Sequence, residues 1–526
     1  MLKELDIKTD PRTAAIPDLL EKLAAKKLGV SEQRIKGVDI VRRSIDARQK
    51  QIWVNLRLLV HLDKLTDLSE YNDLPSFAPL SPEAPSAIIV GAGPAGLFAA
   101  LEMIERGVRP IMLERGKDVD SRRKDLAKIA REDKIDAESN YAFGEGGAGT
   151  FSDGKLFTRS KKRGNINKIL QILVAHGAPQ NILVDAHPHI GTNLLPEIIK
   201  SIRKTIENCG GKVLFQKKVT ELLLNSEKTR VIGVKTGDGE EFHGPVILAT
   251  GHSARDVYRY LAKNNVLLEP KGIAVGVRLE HPSNLIDCLQ YHSKDGRGLY
   301  LPPAEYSFLS RVGDRAVYSF CMCPGGVVVP AATDEGQIVV NGMSSSSRGG
   351  RWSNSGMVVE VLPEDIPGKD PLRVMDFQEG IEKRFSADSK GSQNAPAQRM
   401  TDFVAGKDSV DLPPTSYAPG VHPARIDLLL PDGIASRLKR GFELFNAKKQ
   451  GFLTHDAVLI GAETRTSAPV RVPRNPQTLN HVSLQGLYPA GEGAGYAGGI
   501  VSAALDGQKC ASAVADHLSA HKDSDE

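Results

Sequence analysis

Residues 86–116 read SAIIVGAGPAGLFAALEMIERGVRPIMLERG, an apolar strand, a glycine turn, a helix and a second strand that closes on an acid. The run 87–90 suits a buried parallel strand, and Gly91, Gly93 and Gly96 follow in G-x-G-x-x-G spacing. The first glycine permits the tight turn, the second lets backbone approach a pyrophosphate, and the third allows close helix–strand packing. The helix that opens at Pro94 and Ala95 turns its free N–H groups and positive dipole end toward that anion. Glu114 closes the second strand, where a carboxylate accepts hydrogen bonds from a ribose diol and repels a 2′-phosphate. Strand, turn, helix and spaced acid together predict a dinucleotide site.

Outward from this unit, 526 residues are enough for two or three domains. A formal net charge of +4 over that length leaves no electrostatic footprint for nucleic acid. The basic run Lys161, Lys162 and Arg163 reads as a solvated loop. The cysteines, Cys209, Cys288, Cys321, Cys323 and Cys510, are odd in number and scattered, which predicts reduced thiols and a cytoplasmic setting. The N-terminus MLKELDIKTDPR has neither the basic-then-apolar pattern of a signal peptide nor the acid-poor pattern of a transit peptide. The longest apolar stretch, 88–104, is interrupted by Pro94 and Glu102 and reads as a buried βα unit, so no membrane partner is expected.

The chain divides by pattern. Residues 1–70 predict a small α+β unit: a strand at 2–7, a helix at 16–28 stopped by Gly29, and strands at 38–44 and 51–60. Residues 71–85, with Pro75, Pro79, Pro82 and Pro85, read as a linker. After the glycine turn come a glycine-rich loop at 140–156, a helix at 194–209, strands at 212–215, 219–224, 230–236 and 245–250, and a helix from His252 to Leu261. The middle, 272–460, is rich in β-type runs at 273–279, 316–321, 326–330 and 337–341, and its segment 343–355, MSSSSRGGRWSNS, reads as a mobile loop. Arg348 and Arg351 within that loop are candidates for clamping an anionic substrate, although a solvated loop explains them equally. Residues 486–499, GLYPAGEGAGYAGG, lead into a helix at 500–517 and return the chain to strand, glycine turn and helix. The expected fold is therefore α/β: a discontinuous Rossmann-like domain at 86–271 and 461–526, a β-rich cap at 272–460, and a small N-terminal α+β domain of ferredoxin-like type.

The strings VGAGPAGLFAAL (90–101), FGEGGAGTFSDGKL (143–156), PHIGT (188–192), LATGHSARDVY (248–258), FCMCPGG (320–326), ETRTSAPVR (463–471) and LYPAGEGAGYAGGI (487–500) resemble the bacterial uncharacterised FAD-dependent dehydrogenases. These belong to the glutathione-reductase-type superfamily and carry a small α+β domain ahead of the flavin domain; the resemblance runs through the whole chain. It implies FAD, where spacing alone implies only a dinucleotide. It implies that Ala249, Thr250 and Gly251, with Val219 and Arg115, lie near the ADP portion. The loop at 145–153, with Gly146, Gly147, Gly149, Thr150, Ser152 and Asp153, would pass the isoalloxazine. Gly491 and Glu492 would approach the ribityl or pyrophosphate portion, where the wider superfamily more often has Asp. A helix starting at Gly498, Gly499 and Ile500 would face the pyrimidine edge of the flavin.

Only one complete dinucleotide fingerprint is present, so NADH or NADPH is expected as a transient visitor. Cys321 and Cys323 depart in spacing from the dithiols of flavin disulfide reductases and read as packed thiols, and a metal site built from them with His187 and His189 lacks a ligand set. His189, Glu145, Arg465 and Thr466 are the candidates for substrate binding or proton transfer, each with a structural reading beside it: a buried histidine, a loop acid, a salt bridge and a strand-end hydroxyl. The expected activity is hydride transfer between flavin N5 and a small organic substrate. Two alternatives stay open: a flavin monooxygenase, and a flavoprotein binding module whose basic residues at 1–70 dock RNA or a protein. Oligomeric state is not fixed by the sequence.

Overall fold

The computed structural model describes residues 1–65, 74–158 and 164–522. The basic run at 161–163 and part of the proline-rich linker lie outside these residues.

A five-stranded parallel sheet is ordered Leu487–Pro489, Val246–Leu248, Ser86–Val90, Arg109–Leu113, Lys212–Leu214. The C-terminal strand thus pairs beside strands from the first half of the chain, as a discontinuous α/β fold requires. The strands are short, apolar and largely buried, as parallel strands covered on both faces must be. On one face lie the helices Pro94–Glu105, Ile166–Ala175, Leu195–Asn208 and Ile500–Lys522, which share one apolar core. The first and last of these touch closely: a Cβ on Gly507 would stand 2.0 Å from the carbonyl of Ala95. The other face carries an antiparallel meander, Val219–Leu224, Val231–Thr236 and Glu241–His243, and the helix Arg255–Lys263.

A second, seven-stranded sheet is ordered Leu309–Val312, Arg315–Cys323, Trp352–Val361, Ile273–Pro282, Val458–Glu463, Ala395–Arg399, Val421–Pro423. It is antiparallel except for its last pair. The helices Arg373–Asp388 and Asp432–Lys448 cover it with Phe385, Phe442 and Phe445. Two expectations are corrected here. The boundary at 460 falls inside the strand Val458–Glu463, and the tail of the supposed mobile loop is the start of the central strand Trp352–Val361. Ser353, Asn354 and Ser355 are polar yet buried; Ser283 bonds Ser353, Arg278 donates to Asn354 Oδ1, and Ser355 donates to the Phe320 carbonyl. Arg348 is 6% exposed and grips Asp153 at 2.5 Å and Glu305 at 2.5 Å, so its charge is already spent. Arg351 stacks its guanidinium over Trp352.

The N-terminal unit is a βαββ arrangement around its own small core. Its three strands, ordered Leu2–Thr9, Trp53–Leu62, Ile35–Asp46, are antiparallel, one strand fewer, among the described residues, than a ferredoxin-like sheet. Its helix Pro17–Leu28 ends at Gly29, whose φ of 66° gives the left-handed cap. Four of its arginines are paired, Arg34 with Asp63, Arg43 with Asp185, Arg48 with Asp46, and Arg57 with Glu4 and Asp6. The second pair and the backbone bonds beside it join this unit to the segment 184–186. Residues 74–85 run without helix or strand and are held by Arg109, which donates to the carbonyls of Ser81 and Pro82.

Candidate active site

The parallel sheet and the seven-stranded sheet meet at a cleft of about 380 Å³, within the size range of small-molecule sites. Its nucleotide-facing end is built by the glycine turn. Gly91 has φ +106°, and a Cβ there would lie 2.4 Å from the Ala249 carbonyl; at Gly96 it would lie 2.0 Å from the Gly91 carbonyl. Gly91, Gly93, Pro94 and Ala95 line the cleft, whereas Gly96 packs behind it. Gly93 is the N-cap of Pro94–Glu105 and offers no side-chain cap, so the helix end faces the cleft with N–H groups to give.

Glu114 lines the same end. Its carboxylate accepts from the N–H groups of Ala92 (2.8 Å), Gly116 (2.8 Å) and Gly144 (2.9 Å). Three of roughly four lone-pair positions are therefore taken, and this acid ties turn, strand end and glycine-rich loop together while leaving one position for a ribose hydroxyl. Arg115 stacks 4.1 Å over Phe143 and pairs with Glu138 and Asp256. Val219, Ala249, Thr250 and Gly251 complete this wall. Lys217, Lys218, His252 and Ser253 also line it; the two lysines fall between the quoted strings, His252 and Ser253 lie inside LATGHSARDVY, and sequence reading passed all four over as site residues.

The far end is framed by the glycine-rich loop and the last helix. Gly147, Gly149, Ser152, Asp153, Lys155 and Phe157 contribute from the loop, and Glu492, Gly498, Gly499 and Ile500 from the C-terminal segment. Gly146, Thr150 and Gly491 do not line the cleft. A Cβ on Gly146 would meet Thr150 Oγ1 at 2.1 Å, and one on Gly491 would meet the Ala95 methyl at 2.8 Å, so these three shape the walls from behind. The loop is pinned by Arg122, a fully buried side chain that donates to the carbonyls of Asn140 (2.7 Å), Tyr141 (2.9 Å) and Glu145 (2.9 Å). Burial lowers the Arg122 guanidinium to about 10, still charged at neutral pH. Burial raises the Glu492 carboxyl to about 7, and the opposing Lys271 is not enough to reverse it. Burial, with Arg465 and Arg255 nearby, lowers His252 to about 4, which leaves a neutral imidazole at the cleft.

The seven-stranded sheet supplies the facing wall through Phe320 and Cys321, with Arg465 and Thr466 just beyond the strand Val458–Glu463, and Asn341 joins from the separate two-stranded ladder of Val327–Pro330 and Val340–Met343. Arg465 is engaged by Glu382, Thr333 and Gln337. Burial works against the charge of Glu382, but Arg465 and Arg255 outweigh it and hold this carboxyl at about 2. Thr466 Oγ1 donates to the Ala274 carbonyl and accepts from the Ala274 N–H, so its hydroxyl is consumed in positioning backbone. Glu145 and His189 are not part of the cleft lining. Glu145 is buried, accepting from Arg203 Nε at 2.7 Å and from the Val119 N–H at 2.8 Å; His189 Nε2 is bonded to the Ser346 carbonyl at 3.0 Å.

The glycines test whether a flavin dinucleotide suits this cleft. At Gly498 and Gly499 a Cβ would meet nothing within 4 Å, and neither residue has a positive φ. Packing and conformation leave these glycines unexplained; a bound group filling the cradle explains them. Among the described residues no group of three or more His, Cys, Asp or Glu side chains could hold a metal ion, and no helix is long and apolar enough to cross a membrane.

Fold and cleft define a dinucleotide-binding flavoprotein. Residues 85–126 match the FAD binding domain family, residues 272–466 the family described as FAD-dependent protein, C-terminal domain-like, and residues 1–61 a domain family of unknown function. The chain is 41% identical over 518 residues to an uncharacterized protein of Clostridium beijerinckii, a match covering 95% of this chain and 96% of that one. It belongs with that relative to the family of FAD-dependent proteins, and its cofactor is FAD. Similar solved structures include CtdE in complex with FAD (11% identical, 82% of this chain and 84% of that one, TM-score 0.33). Others are a flavocytochrome c3 fumarate reductase (13%, 86% and 82%, 0.33) and the flavin-dependent brominase Bmp2 (12%, 82% and 79%, 0.36).

Proposed function

We propose that the protein is an FAD-dependent dehydrogenase of glutathione-reductase type that transfers a hydride between flavin N5 and a small organic substrate in the cytoplasm, with NADH or NADPH visiting as reductant. The observation that carries this reading is the continuity of the cleft: the glycine turn and the face of the seven-stranded sheet line a single space. FAD supplies the two-electron chemistry; the chain supplies binding, orientation and charge. The N–H groups at the start of Pro94–Glu105 would hold the pyrophosphate, Glu114 would offer its remaining lone pair to the ribose, and the start of Ile500–Lys522 would favour negative charge on the ring. Glu492, half protonated near neutral pH, holds a proton at its carboxyl beside the cofactor. Arg465 turns a fixed positive charge toward the substrate side and is kept in place by Glu382. The two cores on either face of the parallel sheet and the separate core of the seven-stranded sheet support a division into flavin and substrate parts.

Turnover of organic substrates with and without oxygen tests the reading. A dehydrogenase keeps its turnover anaerobically when an artificial electron acceptor is supplied. Turnover that requires oxygen in stoichiometric amount, with an oxygen atom in the product, identifies the monooxygenase instead.

A further inference from the structure

Cys321 and Cys323 lie at the end of the strand Arg315–Cys323, where its pairing with Trp352–Val361 shifts register between Phe320 and Cys323. Residues two apart on a regular strand share a face and stand about 6.6–6.8 Å apart, at the outer limit of the 4.4–6.8 Å spanned by roughly all disulfide-linked Cα pairs. Here the strand is not regular. Cys321 has a left-handed φ of 45°, and Cys323 Sγ comes within 3.4 Å of the Cys321 carbonyl. Cys321 lines the flavin cleft, while Cys323 is completely buried behind it. Three cationic contacts fix the pair. Arg278 Nη2 donates to the Cys321 carbonyl at 2.8 Å and to Cys323 Sγ at 3.4 Å, and Lys155 Nζ donates to the carbonyl of the intervening Met322.

We propose that Cys321 and Cys323 form a redox-active dithiol that exchanges an electron pair with the FAD of this cleft, an inference that rests on the flavin assignment above. In the oxidising direction the Cys321 thiolate and the Cys323 thiol form one S–S bond. The S–H bond of Cys323 breaks, its proton and the two electrons pass to oxidised FAD, and FADH⁻ results; the reverse step reduces the disulfide. A hydrogen bond from the Cys323 thiol, with Lys155 and Arg278 nearby, favours the thiolate at Cys321 over burial, while the same neighbour and burial keep Cys323 protonated. The cleft-lining partner therefore attacks and the fully buried one resolves.

The test is an anaerobic dithionite titration of the holoenzyme after oxidation with ferricyanide and desalting. A disulfide and a flavin are each two-electron centres, so wild type is expected to consume two equivalents of dithionite per FAD and Cys323→Ser one. Mass mapping of the oxidised wild type, which needs no variant, is expected to show a Cys321–Cys323 linked peptide. One equivalent in wild type, with both thiols open to alkylation after denaturation, overturns the dithiol while leaving the flavin assignment standing. Absence of flavin bands after reconstitution with FAD overturns that assignment and the dithiol with it.

Discussion

At the scale of single residues, Gly96 and Gly499 look equivalent in sequence and are opposite in structure. A Cβ at Gly96 meets the Gly91 carbonyl at 2.0 Å, whereas one at Gly499 meets nothing within 4 Å. Gly96→Val is expected to destabilise the folded chain by about 3 kcal/mol or more through overpacking against backbone. Gly499→Val should leave the thermal midpoint of the apoprotein unchanged and weaken FAD binding at least about tenfold, or about 1.4 kcal/mol. Equal FAD affinity in Gly499→Val and wild type, measured by flavin fluorescence, would remove that glycine from the cofactor cradle. Glu492 gives a second prediction. Its carboxyl is raised from the ordinary 4.5 to about 7 by burial, so the folded apoprotein binds more protons than the unfolded chain between these values. The contribution of this group to stability is full below 4.5 and is lost as pH rises toward 7. Urea unfolding of apo Glu492→Gln should show a gain over wild type that grows by up to about 1.4 kcal/mol per pH unit in that window and is flat below it; a pH-independent difference contradicts the assignment. The glycine spacing was readable because the needs of Gly91 and Gly96 are met within a few residues of chain. The surroundings of Glu145 and Cys321 were not: Arg203 lies on a distant helix, and the aim of Cys321 depends on a strand irregularity that no local pattern encodes.

At the scale of elements, the glycine-rich loop has little apolar content to hold it, and Arg122 does that work from the helix Val119–Glu132. Arg122→Met would leave the carbonyls of Asn140, Tyr141 and Glu145 without their donor. The expected cost is about 2–4 kcal/mol, with faster proteolysis at 140–150 and weaker FAD retention; unchanged proteolysis would show that the loop is held by other means. The apolar runs at 87–90, 246–248 and 273–279 announced buried strands, because burial on both faces demands continuous apolar residues. The start of Trp352–Val361 escaped that logic. Ser353, Asn354 and Ser355 look like loop residues, and they are tolerated in a central strand because Arg278, itself paired with Glu463 at 3.0 Å, brings polar partners into the interior. Arg348 misled in the same way, since its neutralising acids come from 153 and 305.

At the scale of the whole molecule, the return of the chain to the parallel sheet was readable from the terminal glycine cluster and its helix. The pairing of Val246–Leu248 with Leu487–Pro489 carries it out. The facing of two sheets across one cleft was not readable, because the placing of Cys321 and Arg465 in one cleft with the glycine turn is set by tertiary packing over hundreds of residues. In the proposed function, that facing adds room for a substrate to a cofactor-binding fold. The measurement that tests it most directly is the visible absorption spectrum of the purified protein, followed anaerobically while NADH or NADPH is added. The account predicts flavin bands that bleach on a catalytic time scale and return when an organic acceptor is supplied. Flavin bands that no nicotinamide and no organic donor can bleach would contradict hydride transfer in this cleft.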